Sequence, residues 1–68
     1  MKIFAKILKE LRKENNMSQS EMAKLLHIKQ QSYARYENDT AEPSYSTLVE
    51  ISNIFDVSCD FLLGKKEF

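Results

Sequence analysis

Two neighbouring glutamines, Gln30 and Gln31, lie just upstream of Arg35, with Ala34 immediately before the arginine. A glutamine carboxamide carries a donor and an acceptor that match adenine N6 and N7, and an arginine guanidinium is a fork that matches guanine O6 and N7. On a helix, Gln31 and Arg35 are one turn apart and share a face. Ala34 is short enough to let such a helix come close to a surface, and its methyl can touch that of thymine. The chemistry within reach is hydrogen-bonded recognition of base edges. An ordinary solvated helix face is the competing assignment for the same side chains.

Bond-making chemistry finds no support. No nucleophile, base and oxyanion hole can be assembled, so an enzyme is not expected. His27 is the one histidine and Cys59 the one cysteine, far apart in the chain, so neither a metal nor a cofactor is expected. His27 reads as a turn residue rather than a pH sensor. Cys59 falls where a helix begins, which can lower a thiol pKa, but it reads first as a small, partly buried residue. One cysteine forms no internal disulfide, and a small domain without such staples fits a reducing cytosol.

Ten basic residues balance ten acidic ones, which at first argues against a polyanionic partner. Their distribution argues the other way. Residues 1–36 hold eight basic and three acidic side chains, a local charge of +5; residues 37–68 hold two and seven, giving −5. A polyanion responds to the field of one face, and a neutral protein can carry a basic face. In the opening MKIFAKILKELRK, Lys6 and Lys9 interrupt any apolar run, so neither a signal peptide nor a membrane span is expected.

The elements that must position these side chains are helices. With one glycine, one proline and no alternating apolar run, the chain lacks strand and hairpin signals, and its 68 residues predict one all-α domain with a core over about 4–64 and a frayed KKEF tail. Phe4, Ile7, Leu8 and Leu11 form the apolar stripe of a helix from about Lys2 to Glu14, which Asn15 and Asn16 end. Ser18 and Glu21 form a capping box, with Met17 and Met22 placed as a hydrophobic staple. The second helix buries Met22, Ala23, Leu25 and Leu26 and runs until His27.

A third helix spans about Gln30 to Asn38. Tyr33 and Tyr36 form its apolar seam; Gln30, Gln31, Ala34, Arg35 and Asn38 face away from the core. Thr40 to Pro43 is a loop. Ser44 caps a fourth helix with Leu48, Ile51, Ile54 and Phe55 in the core and Asp56 at its end. Ser58 caps a short fifth helix, with Asp60 in its first turn, that buries Phe61 and Leu62 or Leu63 before Gly64 stops it. Phe4, Tyr45 and Phe68 are expected to be available to a partner subunit.

Gln19, Ala23, His27, Ile28, Tyr33 and Tyr36 stand at the spacing of a helix-turn-helix, and LRKENNMSQSEMAKLL, ARYEN, EPS and FDVSCDFLLG surround them. Together they resemble the five-helix Cro/Xre-type family, similar to the DNA-binding domains of lambdoid phage repressors, over about residues 4–64. The resemblance implies a compact lambda-repressor-like fold with the third helix in the major groove. It further implies that the glutamine pair reads bases and that Asn38 contacts phosphate, although a plain C-cap is the other reading of Asn38. It also implies an ion pair between Arg12 and Glu37, joining the first helix to the end of the third. Gln19 is expected to hold a phosphate through its side chain and the free amides of the second helix; Ser32 fits either a phosphate or solvent.

Three residues depart from the family. His27 and Asp39 stand where glycine is common, and both can take left-handed backbone at some cost. Lys29 stands where a Ser or Thr usually caps the third helix. A lysine there neither caps nor suits the positive helix end, unless a phosphate lies alongside.

These readings describe a sequence-specific, double-stranded DNA-binding regulator of a bacterium or phage, most simply a cytoplasmic, nucleoid-associated repressor. It would bind a near-palindromic operator as a homodimer, with half-sites about 34 Å apart and a dimer surface near the fifth helix. No small-molecule ligand and no membrane association are expected. A restriction-modification controller, an antitoxin, or a protein-interaction module that has lost DNA affinity are the alternatives.

Overall fold

The computed structural model describes residues 2–65, in five helices: α1 (Lys2–Glu14), α2 (Gln19–Leu25), α3 (Gln30–Glu37), α4 (Tyr45–Phe55) and α5 (Cys59–Leu62). No strand occurs among the described residues. Lys66, Glu67 and Phe68, and with them most of the expected frayed tail, lie outside the described residues.

All five helices stop in the same way. Asn16, His27, Asp39, Asp56 and Gly64 follow them with φ of 56°, 58°, 61°, 54° and 78°. After α2, for example, His27 N donates to Lys24 O at 3.1 Å and Ile28 N to Ala23 O at 3.0 Å, and the same pair of bonds recurs at the other four ends. This is the Schellman arrangement, in which a left-handed residue turns the chain back onto the last carbonyls. Asn, Asp and His tolerate that conformation better than other side chains do, which is why four ends manage without glycine.

Three helices also start alike. The hydroxyls of Ser18, Ser44 and Ser58 accept from the amides of Glu21, Thr47 and Phe61. At Ser18 the box is complete, because its own amide donates to Glu21 Oε1 at 2.9 Å. Helix α3 is the exception: its N-cap is Lys29, in the extended conformation a cap requires but with no side-chain bond to the helix.

At Gly64 the backbone demand is doubled by packing. A Cβ there would sit 2.5 Å from Ile3 Cγ2, so α5 ends directly against the start of α1. Gly64→Ala is expected to lose about 1–2 kcal/mol from the left-handed backbone alone, read as a lower urea midpoint with unchanged slope. An unchanged midpoint would show that this junction lies outside the cooperative unit.

Every helix contributes to one core: Phe4 and Leu8 from α1, Met22 and Ala23 from α2 with Leu26 at its cap, Tyr33 from α3, Leu48 and Ile51 from α4, and Leu62 from α5. Ile54, Phe55 and Leu63 pack half-buried against it, and Phe61 is half-buried. Two expectations fail. Phe4 is not available to a partner, being 2% exposed in the core, whereas Tyr45 is open at 79%. Leu25 is 48% exposed. At about 100° per residue, Met22, Ala23 and Leu26 fill one arc of α2 and leave Leu25 on its flank. There it lines an open depression with Met17, Glu21 and Lys24. Helices α2 and α3 also end slightly earlier than expected, because Leu26 and Asn38 are already caps.

Candidate nucleic-acid interface

The turn after α2 determines where α3 goes. His27 reverses the chain, Ile28 packs against the core, and α3 sets off across α2 and packs on it, with Ala23 of α2 buried in the core. A larger side chain between the two helices would push them apart. Tyr33 is fully buried and Tyr36 half-buried, and their rings meet edge to face, 6.3 Å apart at 78°. That seam holds one side of α3 to the body.

The opposite side is open. Gln31, Ser32, Arg35 and Asn38 are exposed and Ala34 is half-buried between them. Gln30, at the start of α3 and between Tyr33 and Ala34 on the helical wheel, lies at the edge of this side and is exposed as well. The carboxamides and the guanidinium are thus presented on one stretch of surface, with Lys29 at its head.

Under this surface lies a polar hub. Arg12 Nε donates to Glu37 Oε2 at 2.7 Å and Arg12 Nη2 to Glu37 Oε1 at 3.1 Å. Arg12 Nη1 donates to the Met17 carbonyl at 2.8 Å, tying in the α1–α2 connection. Gln19 Nε2 donates to Glu37 Oε1 at 3.1 Å. The side chains of Arg12 and Glu37 are 12% and 1% exposed, so the pair is withdrawn from water. Four bonds therefore join α1, the following loop, α2 and the last residue of α3.

Sequence reading missed the inward bond of Gln19. Its carboxamide nitrogen is largely committed to Glu37, which leaves the backbone amide as its simplest donor to an outside anion. Glu37 lies one turn from the buried Tyr33, a spacing that marks its carboxylate as buried and in need of several donors.

Burial pulls the Glu37 carboxyl upward, but the hydrogen bonds from Arg12 first, and then the nearby Tyr33 hydroxyl and the bond from Gln19, outweigh it and hold the group below its ordinary value. Burial and the facing Glu37 push the Tyr33 phenol well above its usual range, so it stays neutral. Although the Tyr33 hydroxyl lies against the pair, it makes no hydrogen bond of good geometry. Arg12 is held charged, above its ordinary value, by the bond to Glu37.

The sign of the pH dependence follows. A carboxyl with a depressed folded pKa contributes stability that is fully present above its unfolded pKa, about 4.3 for glutamate, and lost as pH falls through the lower folded value. Glu37→Gln is expected to be less stable near neutrality and to show a shallower loss on acidification. Parallel acid limbs for the two proteins, in urea midpoints taken across the acid range, would place the titration elsewhere.

An uncapped helix start whose neighbour is a lysine is a poor way to stabilise the free protein and a good way to meet a phosphate. Lys29→Ser is expected to raise the stability of the free protein by about 1 kcal/mol. An unchanged or lower urea midpoint would show that the missing cap costs the free protein nothing. Among the described residues no cluster of His, Cys, Asp and Glu could hold a metal ion, and no helix is long and apolar enough to cross a membrane.

Five short helices, of which α2 and α3 form a tight bihelical unit that leaves one face of α3 open, define the lambda-repressor-like class. The chain belongs to the Cro/Xre-type helix-turn-helix family, whose helix-turn-helix model matches residues 8–62. It is 46% identical over 61 residues to the uncharacterized HTH-type transcriptional regulator YqaE of Bacillus subtilis (strain 168), an alignment covering 90% of this chain and 53% of that protein. It is 42% identical over 64 residues to the HTH-type transcriptional regulator ImmR of the same organism, covering 94% and 50%. It is 46% identical over 61 residues to YonR, an SPbeta prophage-derived uncharacterized HTH-type transcriptional regulator of that strain, covering 90% and 56%. The chain thus spans about half the length of the curated relatives it matches. No solved structure gives a significant match.

Proposed function

We propose that this chain binds double-stranded DNA sequence-specifically, inserting α3 into the major groove, as the DNA-reading part of a bacterial or prophage transcriptional regulator, most simply a repressor. The observation that carries this reading is the open face of α3: two carboxamides and a guanidinium on a short helix pinned from behind by a fully buried tyrosine. Gln30, Gln31 and Arg35 would pair with base edges, and Ala34 would let the backbone approach and meet a thymine methyl. Lys29, Ser32 and Asn38 border this face and would hold phosphates, with Gln19 contributing its backbone amide. That the relatives are named as transcriptional regulators agrees with this reading, and YonR's prophage origin favours the phage-related version.

One domain over residues 1–68 reads only a few base pairs, so specificity calls for two copies on a near-palindrome, with half-sites about 34 Å apart. The copies would meet near α5 and the loop before it. Zero net charge is the feature that favours a protein-interaction module instead. Titration of random duplex DNA at two salt concentrations separates the readings. Phosphate contacts impose a steep fall in affinity with salt, whereas no binding at either concentration would leave the protein-partner reading standing. Selection from a random pool would then return the half-site and its spacing.

A further inference from the structure

The Glu37 carboxylate accepts three hydrogen bonds, and its donors come from two different helices. Arg12 on α1 reaches both oxygens; Gln19, the first residue of α2, reaches Oε1 from the other side. Glu37 is the last residue of α3, and Gln19 stands at the opposite end of α2 from the turn that joins the two helices. The covalent turn fixes where α2 and α3 meet, but one junction leaves the angle between two short rods free. A second fastening, between the far end of one and the far end of the other, removes that freedom. The Tyr33 and Ala23 contacts are apolar and tolerate sliding; the Gln19 bond is directional.

We propose that Gln19 is a positioning residue for base reading, acting through Glu37: with Arg12 it closes the α2–α3 unit into a triangle and sets the angle at which α3 is presented. This rests on the reading of α3 as the DNA-contacting helix. It assigns the Gln19 side chain an inward role, different from that of a phosphate ligand.

The two roles predict different behaviour. A phosphate ligand adds affinity for every sequence alike, and its loss is felt equally by all duplexes. A direct base contact is felt at one base pair only. A positioning residue tilts the whole reading face, so its loss blurs preference at every position of the half-site. It also acts only while Glu37 and Arg12 are there to receive it.

The experiment uses the full chain at a temperature where each variant is shown by circular dichroism to be fully folded. Gln19→Met keeps the length and removes the donor. Duplexes bearing the selected half-site, and each single base-pair change of it, are titrated with the wild type and with this variant. The same comparison is made in an Arg12→Met/Glu37→Leu background, since exchanging both partners of a buried pair for apolar residues tends to preserve the fold. The expected result is a loss of about tenfold for the selected site, the scale of a hydrogen bond to a charged group, with discrimination reduced at all positions of the half-site. In the double background the same substitution should change nothing further.

Loss equal for all sequences, loss confined to one base pair, an effect that persists in the double background, or no loss at all would each overturn the proposal. Failure of the underlying reading looks different, because the wild type itself would then show no salt-dependent affinity for duplex DNA.

Discussion

Arg35→Ala is expected to cost about 1–3 kcal/mol of affinity for the selected half-site, a factor of ten to more than a hundred, and to erase preference at one base pair. Arg35 is exposed in the last turn of α3, where its charge also suits the negative helix end. That local role would account for a small effect on stability. It cannot account for a loss of discrimination. Gln31, one turn earlier on the same face, should behave likewise at a neighbouring base pair, with the preference lost there being for adenine if its carboxamide pairs with N6 and N7. Titrations with single-substituted duplexes check both. Uniform weakening across all sequences would mean that Arg35 supplies charge without reading.

The second large effect concerns the hub. Arg12→Met leaves a carboxylate whose side chain is 1% exposed with Gln19 as its remaining charge-stabilising donor from another helix. Removing one partner of a buried pair costs about 3–5 kcal/mol, whereas replacing both with apolar residues is often neutral. A chain of 68 residues holds a margin of only about 3–10 kcal/mol. The single variant should therefore sit near the edge of unfolding, and Arg12→Met/Glu37→Leu should regain most of the loss. Urea unfolding of the three proteins decides it. If the single and double variants are equally stable, Glu37 accepts burial without Arg12 and the hub is not what orients α3.

Much of this protein can be read from local signals. The serine caps, the capping box at Ser18 and Glu21, and the Asn, Asp and Gly residues that end helices act within a few residues of themselves, so their sequence positions are sufficient to place the helices. The open face of α3 was legible because Tyr33 and Tyr36 have no other way to be buried. What failed was of a different kind. Phe4 lies near the start of the chain, and nothing local shows that it is sealed into the common core. Leu25 is as apolar as Leu26 and differs only by its place around the helix. The Gln19–Glu37 bond joins residues 18 apart, and no local rule pairs them. Tertiary contacts decide such cases.

The claim on which everything else depends is that the outer side of α3 enters the duplex. Side-chain NMR tests this most directly. As an oligonucleotide carrying the selected half-site is added, the carboxamide resonances of Gln30 and Gln31 and the Arg35 Nε–H should move together, saturating at one equivalent per subunit, while Tyr45 and the α5 residues stay still or respond only through a second copy. Resonances of α3 that remain in place while those of α4 and α5 move would contradict the account.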